Sequence, residues 1–545
     1  MSLIEIEDLR VAFPASGVEA VRGVNLSMAA GECVAIVGES GSGKSVTARS
    51  LVGLAGPGSV VTAAKFTVKG GDALRFGARD WRRLRGRFAG LVLQDALGSL
   101  DPLRTVGDEI AEVLAAHDVV PRAGRRAKVI ELLDAVGVPE PEVRARQYAH
   151  QLSGGLRQRA LIASAIAADP PLIIADEPTT ALDVTVQAQI LRLLAARRAA
   201  GTALLMISHD LAVVSSVADR VLVMKDGVVV EEGPTGRVLS APEHDYTRLL
   251  LAAVPSSASR GTRLSAVATG GVSLRVPLPE RTVDRDAPIV QVSGLSAAYG
   301  SRRVVDDVSF EVHPGETVGI VGESGSGKTT VARLVLGLLS PLSGEVRLDG
   351  APWSAVSERR RRPHRSAIQV ISQNPLDSFD PRYTVGRLVA EPLAGVSGAP
   401  GVAGASGERK ARVTELLARV GLPADIAGRH PRRLSGGQRQ RVAIARALAP
   451  RPRVIVCDEP VSALDVSIQA QVLDLLAEIQ AADETALIFI SHDLGVVHHI
   501  SDRVLVMREG RVVEEGHVDE VFFLPRHDYT RELLGAVPKL VSAAP

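Results

Sequence analysis

The stretch CVAIVGESGSGKS, residues Cys33–Ser45, places an apolar run, a glycine-rich turn and the start of a helix-like segment in immediate succession. Its Gly38–Ser45 part has the Gly-x-x-x-x-Gly-Lys-Ser pattern of a P-loop, whose glycines let backbone N–H groups turn inward around phosphates. We expect Lys44 to reach the β- and γ-phosphates and the Ser45 hydroxyl to bind Mg²⁺. The following helix would direct its positive N-terminal end at the anion. This stretch therefore predicts a nucleotide-binding βα unit.

The same stretch occurs a second time, as GESGSGKT at Gly322–Thr329, 284 residues further along the chain. A glycine-rich βα turn without a ligand is the alternative for one match, but two full matches in the same context disfavour it. Other short sequences recur in the same order at offsets of 282 or 283: LSGG from Leu152 and Leu434, DEP from Asp176 and Asp458, SHDL from Ser208 and Ser491, and HDYTR from His244 and His527. One unit is therefore present twice, as duplicated domains.

The repeat divides the chain of 545 residues into two predicted domains, 1–255 and 289–545. Residues 256–288 are rich in Ser, Gly, Pro and Arg, which predicts a linker. In each domain, β-branched runs alternate with Gly-rich turns and helix-like segments, which indicates an α/β fold with a mostly parallel sheet. The pattern turns helical from Gln94 to Gln151, so we expect a helical subdomain inserted into each domain. The predicted fold is thus α/β, with two tandem P-loop NTPase domains.

An apolar strand in each domain ends in two carboxylates, as LIIADE in the first and VIVCDE in the second. The strand end would deliver the aspartate to the Mg²⁺ shell, and the next glutamate would orient the attacking water. An acidic helix N-cap is the alternative for such a pair alone. A histidine follows a later apolar strand at nearly the same distance in both domains, and we assign it to the γ-phosphate. The aspartates are Asp176 and Asp458, the glutamates Glu177 and Glu459, and the histidines His209 and His492.

Both P-loops are predicted to bind ATP along their whole length. Their residues are Gly38, Glu39, Ser40, Gly41, Ser42, Gly43, Lys44 and Ser45, and Gly322, Glu323, Ser324, Gly325, Ser326, Gly327, Lys328 and Thr329. The predicted Mg²⁺ ligands among the residues named so far are Ser45, Asp176, Thr329 and Asp458.

Composition excludes several other classes of protein. The net charge is +1, so no global basic field indicates nucleic-acid binding. The two cysteines, Cys33 and Cys457, lie far apart and form no metal-ligand cluster in the sequence. No stretch approaches the roughly 18–20 apolar residues of a membrane-spanning helix.

Together with the LSGG sequences, these motifs resemble the ATP-binding cassette (ABC) family over nearly the whole chain. The resemblance implies nucleotide contacts from the LSGGL and LSGGQ signatures, through Ser153, Gly154, Gly155, Ser435, Gly436, Gly437 and Gln438. It assigns Gln94 and Gln373 to Mg²⁺ and to signalling toward membrane domains. Phe13 and Tyr299 resemble the aromatic residue that stacks on adenine, with a core aromatic as the alternative.

The resemblance also implies that the two cassettes pair head to tail, so that each nucleotide contacts the P-loop of one and the signature of the other. Leu156 stands where the second signature has Gln438. We therefore expect modestly faster hydrolysis at the site of Glu177 than at that of Glu459.

The sequence ADEPTTALDVTVQAQI in the first half and CDEPVSALDVSIQAQV in the second resemble the two ATPase subunits of dipeptide, oligopeptide and nickel importers. HDYTR resembles their C-terminal HPYT motif, with Asp245 and Asp528 where proline is usual. The resemblance implies two transmembrane permease partners, an extracytoplasmic solute-binding protein and a peripheral location at the cytoplasmic face of the cell membrane. Some relatives carry an iron–sulfur cluster on C-terminal cysteines; none is expected here, because this chain has no such cysteines.

The alternative is a tandem cassette ATPase that acts on ribosomes or DNA. Ribosome-acting relatives have a long, charged, helical linker, whereas residues 256–288 are polar, contain proline and lack a helical pattern. DNA-repair relatives carry zinc-binding cysteines. Transport is therefore the favoured interpretation, with peptides as the family's usual solute.

Overall fold

The computed structural model describes residues 2–93, 96–179, 182–265, 267–269, 272–274, 276–395, 406–462 and 464–538. It divides the chain into two compact units, one ending at Leu251 and one running from Ala252 to Val537. Each unit contains one copy of the repeat. The predicted boundaries at 255 and 289 remain predictions.

The first unit contains an antiparallel sheet, a larger mostly parallel sheet and a helical insertion. Its strands are β1 (Ser2–Phe13), β2 (Val18–Ala29), β3 (Cys33–Val37), β4 (Val60–Thr62), β5 (Lys65–Val68), β6 (Gly71–Asp72), β7 (Ala89–Val92), β8 (Leu172–Asp176), β9 (Ala203–Ile207), β10 (Arg220–Lys225) and β11 (Val228–Pro234). Its α-helices are α1 (Lys44–Ser50), α2 (Ala78–Leu84), α3 (Ala96–Ser99), α4 (Val106–Ala116), α5 (Arg125–Ala135), α6 (Pro141–Arg144), α7 (Gly154–Ile166), α8 (Val184–Ala199), α9 (Leu211–Val217), α10 (Thr235–Ser240) and α11 (Asp245–Ala252), with 3-10 turns at Ala73–Arg75, Arg122–Gly124 and Ala149–Gln151.

The parallel sheet of the first unit has the strand order β11-β10-β3-β9-β8-β7, in which only β11 runs antiparallel to its neighbour. Every residue of β3, β8 and β9 is buried, as expected for strands covered on both faces. The carboxyl ends of parallel strands meet at one edge, so this order brings the ends of β3, β8 and β9 together. Helices α3 to α7 lie between β7 and β8 in sequence, which confirms the predicted helical insertion.

The N-terminal strands form a separate antiparallel sheet, with the order β2-β1-β5-β6 and β4 paired with β1. The long strands β1 and β2 alternate buried and exposed residues, which is the pattern of a sheet with one face on the core. The sequence pattern predicted only the mostly parallel sheet.

The second unit repeats this architecture. Its strands are β12 (Val267–Thr269), β13 (Val272–Leu274), β14 (Val290–Tyr299), β15 (Arg302–Val312), β16 (Thr317–Val321), β17 (Ser343–Leu348), β18 (Ala351–Pro352), β19 (Ile368–Ile371), β20 (Val454–Asp458), β21 (Ala486–Ile490), β22 (Arg503–Arg508) and β23 (Arg511–His517). Its α-helices are α12 (Lys328–Val335), α13 (Glu358–Arg361), α14 (Pro375–Ser378), α15 (Val385–Ala390), α16 (Ser406–Arg419), α17 (Gly436–Leu448), α18 (Val466–Asp483), α19 (Leu494–Ile500), α20 (Val518–Phe523) and α21 (Asp528–Gly535), with 3-10 turns at Ser257–Ser259, Arg362–Ala367, Pro392–Gly395, Ala424–Gly428 and Pro431–Arg433.

The sheets of the second unit have the orders β19-β20-β21-β16-β22-β23 and β15-β14-β17-β18, and β12 pairs with β13. Read from β23 to β19, the first of these orders matches that of the parallel sheet in the first unit strand for strand, and β16 takes the place of β3. The predicted α/β fold with two P-loop domains is therefore confirmed.

The described residues of the connecting segment, residues 256–288, belong to the second unit. The carboxylate of Asp474 is 3% exposed and accepts hydrogen bonds from the backbone N–H groups of Leu264, at 2.9 Å, and Ser265, at 2.8 Å. Arg281 forms a two-point ion pair with Asp502, at 2.7 and 2.8 Å. These contacts anchor the described part of the segment on α18 and on the start of β22.

Candidate active site

The first P-loop lies between the end of β3 and the start of α1. Gly38 has a φ of 145°, and a Cβ there would come within 2.1 Å of the Met224 carbonyl oxygen, so no side chain fits. Lys44 is 5% exposed and donates hydrogen bonds from Nζ to the carbonyl oxygens of Gly38 and Glu39, both at 2.7 Å. The amine is thus held inside the loop, as phosphate binding by this motif requires.

Asp176 lies at the buried end of β8, beside the first turn of α1. Its carboxylate accepts a hydrogen bond from the Ser45 hydroxyl at 2.9 Å and pairs with the Arg49 guanidinium at 3.1 Å. Burial raises the pKa of Asp176, against the effect of its two partners. Ionisation of this side chain is therefore costly, and a bound cation would favour it.

The second unit builds the same cradle from its own residues. Lys328 donates to the carbonyl oxygens of Gly322 and Glu323, both at 2.8 Å. The Thr329 hydroxyl donates to Asp458 at 3.1 Å, and burial raises the pKa of that aspartate too. In each cassette, the predicted hydroxyl and aspartate ligands of Mg²⁺ therefore lie within hydrogen-bond distance of each other.

The two hydroxyl–carboxylate pairs fit Mg²⁺, which needs few protein ligands. Among the residues that the structure describes, no group of three His, Cys, Asp or Glu side chains could hold a metal ion. Mg²⁺ does not require such a group, because it takes one or two protein oxygens and completes its shell with water and substrate phosphates. A hydroxyl and a carboxylate beside a P-loop offer that donor set. In the second unit, the predicted ligand Gln373 donates instead to Glu459, at 2.8 Å, and Gln94 lies outside the described residues.

The two predicted catalytic glutamates adopt left-handed backbone conformations directly after their strands. The φ angle is 51° at both Glu177 and Glu459, and the backbone N–H of each donates to the end of the next strand, at Ile207 and Ile490. Such a conformation costs a non-glycine residue about 1 kcal/mol or more, and strain of this kind clusters at functional sites.

Each glutamate lies beside its predicted histidine. The distance from the histidine Nδ1 to the carboxylate is 3.4 Å for His209 and Glu177, and 3.3 Å for His492 and Glu459. In the second pair, burial disfavours both charges, but mutual attraction outweighs it: the pKa of His492 is raised and that of Glu459 is lowered. The second pair therefore favours a carboxylate beside an imidazolium.

The signature serines cap the helices that follow them. The Ser153 side chain accepts from the Leu156 backbone N–H at 3.4 Å, at the start of α7, and Ser435 accepts from that of Gln438 at 3.2 Å, at the start of α17. The Gln438 side chain returns a bond, because its Oε1 accepts from the Ser435 backbone N–H at 3.1 Å. This reciprocal capping box is available to glutamine and not to leucine.

An arginine ties each signature helix to the helix that follows the Asp–Glu pair. Arg159 of α7 donates to the Gln189 side chain of α8 at 2.6 Å, and Arg441 of α17 donates to that of Gln471 in α18 at 2.7 Å. In each unit, the helical insertion is therefore joined to the helix that follows the Asp–Glu pair. These arginines were not predicted from the sequence.

The remaining predicted residues are placed as follows. Phe13 is partly buried and packs against the core of the first unit, whereas Tyr299 is 48% exposed. Within the P-loops, Ser42 and Ser326 are buried, while Ser40, Gly41, Ser324 and Gly325 are exposed. Stacking of adenine on either aromatic residue stays a prediction.

Two functional contacts were missed in the sequence. Arg49 pairs with Asp176, and nothing in the sequence pattern identifies that partner. The tyrosine of each HDYTR motif contacts its P-loop: the hydroxyl groups of Tyr246 and Tyr529 accept from the backbone N–H groups of Glu39 and Glu323. Recurrence of the motif at an offset of 283 was the available signal.

Two regions in each half of the chain match known protein families. Residues 21–180 and 305–462 match the family described as "ABC transporter". Residues 230–274 and 513–545 match the "Oligopeptide/dipeptide transporter, C-terminal region" family. The second match includes both HDYTR sequences and part of the connecting segment.

Curated relatives match the chain over nearly its full length. The oligopeptide transport ATP-binding protein OppD of Mycobacterium tuberculosis is 42% identical, and the alignment covers 98% of this chain and 98% of OppD. The glutathione import ATP-binding protein GsiA of Pectobacterium atrosepticum is 44% identical, over 98% of this chain and 89% of GsiA. The peptidoglycan transport ATP-binding protein YejF of Agrobacterium fabrum is 43% identical, over 98% and 96%.

Proposed function

Because the chain belongs to the ABC transporter ATP-binding family, we propose that it is the fused ATPase subunit of an importer for peptides or peptide-derived solutes. One observation carries the proposal: each unit brings its P-loop lysine, Asp–Glu pair and histidine to one sheet edge. The relatives that match both cassettes in a single chain are named as ATP-binding proteins of oligopeptide, glutathione and peptidoglycan transport.

Each cassette divides the hydrolytic reaction among the residues of that edge. Lys44 and Lys328 bind the β- and γ-phosphates, and the P-loop amides enclose them. Glu177 and Glu459 orient the attacking water and accept its proton as its oxygen bonds to the γ-phosphorus and the bond from that phosphorus to the bridging oxygen breaks, which releases ADP and phosphate. His209 and His492, which lie beside those carboxylates, contact the γ-phosphate. Mg²⁺, held by the Ser45–Asp176 and Thr329–Asp458 pairs, would neutralise charge on the phosphates.

Movement of the membrane partners would follow from pairing of the cassettes. We propose that Ser153–Gly155 completes the site of Lys328, and Ser435–Gly437 that of Lys44. Closure on ATP and opening after hydrolysis would then drive alternate states of the membrane subunits. Fusion of the two cassettes fixes their ratio at one to one and raises their effective concentration.

The partners proposed are two permease subunits and an extracytoplasmic solute-binding protein. In the described ranges, no helix is long and apolar enough to cross a membrane. The solute pathway would therefore be formed by other chains, and this ATPase would bind them at the cytoplasmic face of the membrane.

Reconstitution tests the proposed function. The chain should copurify with its two permease partners, and the complex in proteoliposomes should take up labelled oligopeptide when MgATP and binding protein are supplied. The matched control is the same complex with Glu177→Gln and Glu459→Gln, which should assemble but not transport. ATPase activity stimulated by ribosomes or DNA, and not by the permeases, would instead support the alternative class.

A further inference from the structure

The C-terminal HDYTR motif of each cassette reaches its own P-loop through a buried tyrosine. Tyr246 is 5% exposed, and its hydroxyl accepts a hydrogen bond from the Glu39 backbone N–H at 3.0 Å. Glu39 is the second residue of the P-loop, more than 200 positions earlier in the chain. A contact over this separation exists only if the fold places α11 against the phosphate-binding loop.

The Glu39 N–H belongs to the same peptide group as the Gly38 carbonyl. That carbonyl accepts from Lys44 Nζ at 2.7 Å, so one peptide group is held by the tyrosine on one side and by the P-loop lysine on the other. Two hydrogen bonds at opposite ends of a peptide group polarise it and strengthen each other. They also fix its orientation, which Gly38, with a φ of 145°, would otherwise leave easy to change.

The rest of the motif builds the support for this tyrosine. The His244 Nδ1 accepts from the Tyr246 backbone N–H at 3.1 Å, which caps α11. The Glu231 carboxylate, on β11, accepts from the backbone N–H groups of Glu243 and His244 at 2.8 and 3.1 Å. The Lys225 amine lies 5.0 Å from the centre of the tyrosine ring. The ring is therefore held from the strand, the turn and the helix.

The second cassette repeats every part of this arrangement. The Tyr529 hydroxyl accepts from the Glu323 backbone N–H at 3.1 Å, and Lys328 donates to the Gly322 carbonyl at 2.8 Å. His527 Nδ1 accepts from the Tyr529 N–H at 3.1 Å, and Arg508 lies 4.8 Å from the tyrosine ring. Two copies that differ widely in sequence therefore preserve the same contact.

We propose that Tyr246 and Tyr529 are positioning residues that set the nucleotide affinity of their own cassettes. Each hydroxyl fixes the P-loop peptide on which the phosphate-binding lysine rests, so the lysine and the neighbouring amides are prepared for the phosphates before nucleotide arrives. The C-terminal motif thereby becomes part of the nucleotide site. This inference rests on the proposed role of the P-loops.

A purely structural role is the competing explanation, in which the tyrosine only anchors α11. It predicts that removal of the hydroxyl lowers thermal stability and leaves nucleotide affinity unchanged. Positioning predicts the reverse, because the phenyl ring of Tyr246→Phe keeps the packing and removes one hydrogen bond to the loop. The two roles are therefore separated by measuring affinity and stability on the same variants.

The test uses the full chain with Glu177→Gln and Glu459→Gln, so that ATP is bound but not consumed. Tyr246→Phe, Tyr529→Phe and the double variant are titrated with a fluorescent ATP analogue and Mg²⁺. Each single variant should weaken nucleotide binding at one of the two sites about 3- to 10-fold, and the double variant at both, because each tyrosine that is replaced loses its hydrogen bond to the P-loop. With the catalytic glutamates restored, KM should rise by a similar factor and kcat should change less.

The controls are Thr247→Val and Thr530→Val, which alter the buried neighbour of each tyrosine without touching the P-loop. Both should keep wild-type affinity, and the tyrosine variants should keep the wild-type melting temperature without nucleotide. Unchanged affinity in Tyr246→Phe and Tyr529→Phe, or an equal loss in the threonine variants, would overturn the proposal. Lys44→Ala with Lys328→Ala distinguishes the underlying assignment: if that variant still binds nucleotide, the P-loop role itself is wrong.

Discussion

The two cassettes share the contacts of the phosphate edge and differ around it. In both, a hydroxyl meets the aspartate, a histidine meets the glutamate and a tyrosine meets the loop. At the signatures, Gln438 closes a capping box that Leu156 cannot form. In the helices that follow the predicted histidines His209 and His492, α9 carries Ser215 and Ser216 where α19 carries His498 and His499.

This contrast shows which positions the chemistry constrains. Phosphate binding needs a lysine, inward-facing amides and a hydroxyl at fixed places, and an alternative residue would lose the reaction. Residues such as His499 of α19 are constrained only by packing. In the second unit the connecting segment packs against this helix, where the Ser259 hydroxyl lies 3.2 Å from Nδ1 of His499. Identical active-site contacts therefore coexist with different surroundings.

The largest effect is expected from replacing the catalytic glutamate that both cassettes share. Glu177→Gln together with Glu459→Gln should retain MgATP binding and lose at least about 100-fold in turnover, because a positioned general base contributes 10²–10⁴-fold. Steady-state ATPase assays and nucleotide titration on the same preparation measure both quantities. Near-normal turnover would remove these glutamates from the catalytic role.

The sequence was most informative where chemistry restricts the choice of residue. The P-loops, the Asp–Glu pairs and the mostly parallel sheet around them follow from patterns that few other structures use. The motifs named the residues that the structure brings together, for example Ser45 with Asp176 and His492 with Glu459, but the contacts between them were not predicted.

The sequence was least informative where long-range packing decides. The antiparallel sheet of β1, β2 and β5 depends on pairing between segments whose local pattern does not name a partner. Residues 256–288 have the composition of a linker, yet Asp474 and Asp502 provide buried and partly buried partners for their described part. Likewise, HDYTR was visible as a repeat, but the Tyr246–Glu39 contact spans most of a domain.

A second, smaller effect separates the cassettes by acid sensitivity. Burial lowers the pKa of His499 to about 4, with Asp474 opposing and His498 and Arg260 reinforcing the shift. The unfolded chain binds this proton near pH 6.5, whereas the folded chain binds it only near pH 4. Stability from this group is therefore complete above pH 6.5 and declines as the pH falls toward 4, by about 1.4 kcal/mol at pH 5.5.

His499→Ser, which copies the residue of the first cassette, tests this sign. The variant is expected to be less stable at pH 7.5 because of lost packing, but its free energy of unfolding should fall less between pH 7.5 and 5.5 than that of the wild type. Urea denaturation at the two pH values gives both slopes. An equal change in the free energy of unfolding in the variant and the wild type would mean that the pKa of His499 is the same in the folded and unfolded states.

The smallest effect concerns the signature difference. If Leu156 weakens the site that it completes, Glu177→Gln should reduce turnover of the assembled transporter more than Glu459→Gln does. The expected difference is a factor of about 2, which corresponds to the lower end of the about 0.5–1.5 kcal/mol that one hydrogen bond contributes. The bias should be small because the Gln438 side chain accepts a hydrogen bond from the Ser435 backbone N–H, within its own signature. Both signature serines cap their helices, whether glutamine or leucine follows. Leu156→Gln, which can complete the missing capping box, should then make the two losses equal. Equal losses in the parent chain, or a larger loss from Glu459→Gln, would show that the leucine leaves its site unimpaired and that the cassettes differ only in stability.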